Sequence, residues 1–446
     1  MVSSKYIRRA IQIGAPVIGG QLGFVLMGST DTVMCGLVSN DAQAAVGIGS
    51  AIYFLFIVLG LGVYFGITSL VSIADGAGKR DKTWKYIRTG LVLSIPISIA
   101  LGVLLFLSSY FFDYLNQPEA VSQMTKSYLI ALIWGTPFFL VFTLYSSYLN
   151  GLGKTWPPMI ITAIALVLNY FFNDWLIFGK MGMPAYGFIG SAFATNLSKV
   201  VLCMLLVLYA HTSKELELIR NNTSTSNWRV TSQRILTIGL PIGFQLFLEV
   251  FAFTVSFIIA GWLGNMSLTA HQIVLNMASV TFMFITGIST SSNIMIGNGY
   301  GAKDKNHIYE SAKACALLIL GVEIIFVLAF ILFPKTLISI YTNDAQLIGF
   351  AVPLMVMAAA FQVSDGFQNL GLNMLRGIKD VRIPALIAFV SYWLVMIPAS
   401  YWLAMPNGFN MGVIGVWWGF VIGLSLASLI LIYRFSQQLK TIETRW

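Results

Sequence analysis

The sequence predicts an all-α integral membrane protein: twelve transmembrane helices in two six-helix bundles related by a parallel pseudo-twofold repeat. Three observations predict it. The 446-residue chain is 57% hydrophobic and 10% charged, with a mean hydropathy of +0.80, whereas an ordinary soluble domain is about 25% charged. So few charges cannot cover a water-facing surface, and lipid must be the main solvent. About twelve apolar runs approach the roughly 20 residues that a bilayer-crossing helix requires. Finally, four short sequences recur at a spacing of about 225 residues.

The runs centre near Leu26, Leu61, Val103, Leu140, Ala165, Leu202, Val250, Phe284, Ile325, Ala360, Val395 and Gly423. The first, from about Ile11, is long and keeps its own polar residues, so it reads as a span rather than a cleavable leader. The basic residues lie in short segments between runs. Lys126, Lys180 and Lys335 fall in alternate loops and Lys199 lies inside a span, while the other 22 of the 26 lysines and arginines fall on the opposite side. That asymmetry places both termini in the cytoplasm and requires an even number of spans. The net charge of +9 is thus a topology signal, and no nucleic-acid partner is expected.

The repeat pairs "IGAP" (Ile13–Pro16) with "IGLP" (Ile238–Pro241), and "GKRDK" (Gly78–Lys82) with "GAKDK" (Gly301–Lys305). It also pairs "LNGLGKTWPP" (Leu149–Pro158) with "LRGIKDVRIP" (Leu375–Pro384), and "GFIG" (Gly187–Gly190) with "GVIG" (Gly412–Gly415). Halves of six spans enter the membrane in the same sense, as in parallel repeats about an axis along the membrane normal. Residues 1–212 form the expected N-terminal lobe, residues 213–230 a polar cytoplasmic linker, and residues 231–446 the C-terminal lobe. Two like lobes suit a transporter that alternates access by rocking.

Ionisable side chains inside spans carry the functional signal, because each costs roughly 2.5–3.5 kcal/mol to insert near the bilayer centre. They are Asp31, Lys199, Glu249, Glu323 and Asp365, with His271 beside them. The repeat aligns Asp31 with Ser256, Glu249 with Phe24 and Asp365 with Phe139, so the acids are not a symmetric scaffold feature. Glu323 has no polar neighbour along its own helix and reads equally as structural or functional. Lys199 has no partner in sequence, and a structural pairing with an acid in its lobe is expected. Asn169 and Asn173 are four apart and share a helix face. With Asp31 they could offer hard oxygen ligands to a hard cation, although such a pair is more often interhelical hydrogen bonding.

Other chemistries find little support. "GLGKTW" has Tyr148 where a phosphate loop needs its first glycine. Cys35, Cys203 and Cys315 stand singly in apolar stretches, and there is no H-E-x-x-H. An intramembrane enzyme therefore lacks a catalytic cluster, and no cofactor is expected beyond a coupling ion.

"PVIGGQ", "STDTVMCGLVS", "AHQIVLN" and "DGFQNLGLNMLRGIKD" together resemble the multidrug and toxin extrusion (MATE) family, in its NorM-like bacterial branch, over essentially the whole chain. The resemblance implies an antiporter of the cell inner membrane that exports amphipathic, often cationic drugs in exchange for sodium or protons, with antibiotic resistance as the consequence. A monomer is expected. It further implies that Glu249 and Asp365 are the acids of the seventh and tenth spans, serving both ion coupling and substrate binding. It implies a cation site of Asp31, Asn169, Asn173 and Thr195 in the N-terminal lobe. The branch can carry a tyrosine one turn before the tenth-span acid; here that substrate-site position is Phe361, which lacks a hydroxyl ligand. The alternative within the superfamily is a flippase for a lipid-linked precursor. Such a protein should line its cavity with several basic residues for a pyrophosphate, and this chain offers Lys199.

Overall fold

The computed structural model describes residues 3–110, 118–221 and 227–445. Residues 222–226 of the expected linker lie outside them. The described residues are helical throughout their regular structure. In chain order the helices are α1 (Ser4–Gly36), α2 (Asn40–Gly76), α3 (Trp84–Ser108), α4 (Glu119–Ile133), α5 (Thr136–Gly151), α6 (Trp156–Phe178), α7 (Phe188–Thr212) and α8 (Lys214–Asn221). They continue as α9 (Trp228–Trp262), α10 (Asn265–Ala302), α11 (Lys305–Leu332), α12 (Pro334–Ser339), α13 (Ala345–Gly377), α14 (Arg382–Phe389), α15 (Ile397–Ala404) and α16 (Val413–Lys440).

Among the described residues, 11 helical segments are long and apolar enough to span a membrane, and α4 with α5 makes a twelfth, bent by 52°. All twelve runs read from the sequence fall on these segments. The bend has a local cause. Pro137, at the start of α5, can donate no backbone hydrogen bond. At the break Gly135 bonds Leu132 O rather than Ala131 O. The freed Ala131 carbonyl accepts from Asn196 Nδ2 at 2.6 Å, which satisfies a backbone group that lipid cannot. The α3 helix shows what faces lipid: Val92, Ile95 and Ile99, spaced three and four apart, are 57%, 64% and 63% exposed.

The chain folds as two compact units, Gly19–Gly243, and Met1–Ile18 with Phe244–Trp446. The divisions fall inside α1 and α9, whereas the sequence places the halves on either side of residues 213–230. Within the first unit α2 packs on α3 and α5, α3 on α5, α5 on α7, and α6 on α7. Within the second, α10 packs on α11 and α13, α11 on α13, α13 on α16, and α15 on α16. These are the same span pairs shifted by half the chain. The repeat extends to the backbone: Gly187 and Gly412, each immediately before a helix, have φ of 59° and 61°. The polar linker begins with α8, a short helix that buries Leu216 and Ile219.

Close helix crossings rest on glycine pairs, as expected where association depends on backbone approach. In the first unit, a Cβ on Gly62 of α2 would collide with the Gly243 backbone of α9. In the second, a Cβ on Gly14 of α1 would lie 3.1 Å from Gly287 O of α10. Overpacking costs about 1–3 kcal/mol, so Gly62→Val is expected to lower the yield and melting temperature of folded protein in detergent. Gly28→Ala, where a Cβ meets nothing within 4 Å, should leave both unchanged.

Candidate ion- and substrate-binding sites

In the first unit Asp31 of α1 meets α6 and α7. Its Oδ1 accepts from Asn169 Nδ2 at 3.2 Å and from Asn173 Nδ2 at 2.7 Å. Its Oδ2 accepts from Thr195 Oγ1 at 2.5 Å. The four-residue spacing puts both amides on one face of α6, and Asn173 Nδ2 also bonds Asn169 O at 2.9 Å. Asp31 is 4% exposed and both asparagines are fully buried. All four residues of the expected N-terminal set therefore come together. Asn169 Oδ1 and Asn173 Oδ1 are buried without a hydrogen-bond partner. Two free amide oxygens beside one carboxylate and one hydroxyl form a hard oxygen donor set with a single negative charge, which suits a small monovalent cation.

Lys199 differs from the expected pairing. Its ammonium has no hydrogen-bond partner and lies 4.1 Å from the centroid of the Tyr53 ring. Its charge still acts on Asp31 through space. An aromatic face can hold a desolvated ammonium by its quadrupole, so an acid in direct contact is not required.

The second unit gathers a different set. Glu249 of α9 accepts from Gln245 Nε2 at 2.9 Å, and Gln245 Oε1 accepts from Arg376 Nη2 at 2.6 Å. Arg376 also acts electrostatically on Glu249. Gln368 Nε2 donates to the Tyr392 hydroxyl at 3.0 Å, and Tyr392 interacts electrostatically with Glu249. Asp365 of α13 interacts electrostatically with Glu249 and leaves its Oδ1 unpartnered. Glu249, Asp365 and Arg376 are all buried. Tyr392 sits in a wide-pitched π-helical stretch, Val390–Met396, between α14 and α15. Such stretches are often found at functional sites. The same stretch turns Trp393 Nε1 onto Leu248 O at 3.2 Å.

The repeat makes the contrast between units concrete. Phe24 and Phe139, aligned with Glu249 and Asp365, meet edge to face at 5.6 Å between centroids. The two positions thus interact in each unit, as packed rings in one and electrostatically as acids in the other. Ser256, aligned with Asp31, hydrogen-bonds His271 Nε2 at 3.2 Å.

Phe361 is buried in an aromatic cluster with Phe253, Trp417 and Phe420, at centroid distances of 6.2, 5.6 and 5.6 Å. Sequence reasoning missed Arg376, counted with the inner loops because it closes a long apolar run, although it lies buried in the last turn of α13. It also missed Gln245 and Tyr392, polar residues common enough in helices to carry no signal alone.

Comparison with known proteins agrees with this architecture. Residues 16–175 and 241–402, one segment from each half, match the MatE family. A probable multidrug resistance protein NorM of Pasteurella multocida is 32% identical over 438 residues, covering 96% of this chain and 93% of the relative. A multidrug resistance protein MdtK of Edwardsiella ictaluri is 31% identical over 438 residues, with 96% of each chain covered. The fold is shared with the crystal structure of the eukaryotic MATE transporter AtDTX14, at a TM-score of 0.88 and 17% identity over 99% of both chains. An outward-facing multidrug resistance MATE transporter superposes with a TM-score of 0.89 at 18% identity, covering 98% of this chain and 96% of that one.

Proposed function

The chain belongs to the MatE family, a family of membrane transporters and not of enzymes, and on that premise we propose that it is a multidrug efflux antiporter. It exports amphipathic, often cationic drugs in exchange for sodium or protons, in the bacterial inner membrane, with both termini in the cytoplasm. The observation that carries the reading is the buried carboxylate pair Glu249 and Asp365, which interact with each other in the second unit. Ionised, the pair attracts a cationic drug; neutralised by a proton or a small cation, it releases one. One site cannot favour both occupants at once, so each ion bound weakens the drug by the same factor that the drug weakens the ion.

The sign of the buried charge supports a cationic cargo over a pyrophosphate. Among the ionisable residues singled out above, the second unit buries Glu249, Glu323 and Asp365 against Arg376, while the first buries Asp31 and Lys199. The oxygen set around Asp31 favours sodium as a coupling ion. A proton needs the carboxylate alone, whereas sodium must replace most of its water shell with neutral oxygens.

Proteoliposomes loaded with ethidium, an aromatic cation, test the reading under an imposed sodium gradient and, separately, an imposed proton gradient. Gradient-driven export under at least one of them is expected. No stimulation by either would overturn the antiport reading.

A further inference from the structure

Glu323 lies on α11 and is 1% exposed, while Asp365 on the neighbouring α13 is 4% exposed. Neither Oε1 nor Oε2 of Glu323 has a hydrogen-bond partner, and Asp365 Oδ1 has none. The Glu323 carboxyl is seated against Gly366, the residue after Asp365. A Cβ at position 366 would collide with Glu323 Oε1 and lie 3.3 Å from Ile319 Cγ2. The glycine thus opens the seat that brings this carboxyl to the α13 backbone. Gln362, four residues before Gly366 and so on the same face of α13, has both side-chain polar atoms unpartnered.

Glu323 acts electrostatically on Asp365, and so does Glu249 from α9. The helices α10, α12 and α13 pack on α11. Among the described residues none of them brings a basic group into interaction with either carboxyl of the pair. The guanidinium of Arg376 is committed to Gln245 and Glu249. Two buried carboxyl groups that act on each other with no countercharge do not both stay ionised, and a bound proton is the simplest neutraliser.

We propose that Glu323 is a third proton-holding group of the second-unit site, exchanging a proton with Asp365 across the α11–α13 contact. In the exchange the Glu323 O–H bond breaks as a lone pair on Asp365 Oδ1 takes the proton. Glu323 is left as the carboxylate and Asp365 as the acid, and the reverse step restores the first state. Net charge is unchanged, and no other reactant is needed. A cationic drug arriving at Asp365 would then displace a proton toward Glu323 rather than directly to water. The proposal rests on the coupling role given to Asp365 above.

The test uses the full chain in proteoliposomes, with ethidium as cargo, and compares Glu323→Gln, Glu323→Asp and Asp365→Asn. Two transport assays are read: export driven by a proton gradient, and ethidium counterflow with no ion gradient. For Glu323→Gln, gradient-driven export should fall about tenfold or more while counterflow stays within about twofold. Proton release on ethidium binding should lose its wild-type pH profile. Glu323→Asp keeps a titratable group and should recover part of the export. Wild-type export and pH profile in Glu323→Gln would overturn the proposal. So would equal losses of export and counterflow in both Glu323 variants, which would mark a structural residue. Failure of the coupling reading itself gives a different result, namely wild-type export in Asp365→Asn.

Discussion

Replacing Asp365 with asparagine is expected to abolish gradient-driven drug export while leaving folded protein in the membrane at wild-type levels. Asp365 Oδ1 makes no hydrogen bond, so an amide of the same shape breaks no contact there, and the change removes a titratable charge alone. Glu249→Gln should abolish export as well, at a larger cost in stability. Glu249 acts electrostatically on the buried Arg376, and neutralising it leaves that guanidinium without its carboxylate. Its loss takes away the countercharge that acts on that guanidinium, so the melting temperature of Glu249→Gln should fall below that of Asp365→Asn. Drug resistance of cells expressing each variant, read beside melting curves of the purified proteins, checks both statements. Full resistance from both would make the acids structural.

The second large effect is expected in the first unit. Asn169→Ala and Thr195→Ala each remove a neutral group from the Asp31 site, and neither residue can carry a transported proton. If sodium is bound there, each variant should weaken sodium-stimulated export by about tenfold or more, since a tenfold change corresponds to about 1.4 kcal/mol of lost coordination. Asp31→Asn should abolish the stimulation. The local cost of Asn169→Ala should be modest, because Asn173 and Thr195 still donate to Asp31. Unchanged sodium stimulation in both variants, with Asp31→Asn inactive, would instead assign a proton carried by Asp31.

What was legible in the sequence follows from the range of each interaction. The spans were legible because each must satisfy its own backbone and present apolar side chains over a bilayer thickness, which is a constraint local in sequence. The repeat was legible because it is written twice. It aligned Glu249 and Asp365 with Phe24 and Phe139, and only the packing showed that those two rings meet, at 5.6 Å. The Asn169–Asn173 face followed from helical spacing, Asp31 was joined to it as a charge inside a span, and Thr195 entered through the family resemblance; the structure brings the four together.

The seating of Glu323 against Gly366, beside Asp365 in the chain, depends on how α11 and α13 pack, and helical periodicity within one span carries no information about its neighbour. The seat at Gly366 would have been a clue only with the packing in hand. The solution found for Lys199, an aromatic face rather than an acid, depends likewise on Tyr53 of α2. Arg376 was misplaced because hydropathy cannot distinguish a charge that ends a span from one buried in its last turn. The bend between α4 and α5 had a visible cause in Gly135 and Pro137. The donor to the freed carbonyl, Asn196, had no such signal.

On the proposed function drug and ion compete for buried carboxylates, a competition that equilibrium binding to the purified protein reads without transport. Ethidium affinity would be titrated over a range of pH at fixed sodium, and over a range of sodium at fixed pH. Ethidium is expected to bind more weakly as protons or sodium increase, and Asp365→Asn to lose the pH dependence. An ethidium affinity indifferent to both ions in the wild-type protein would contradict it.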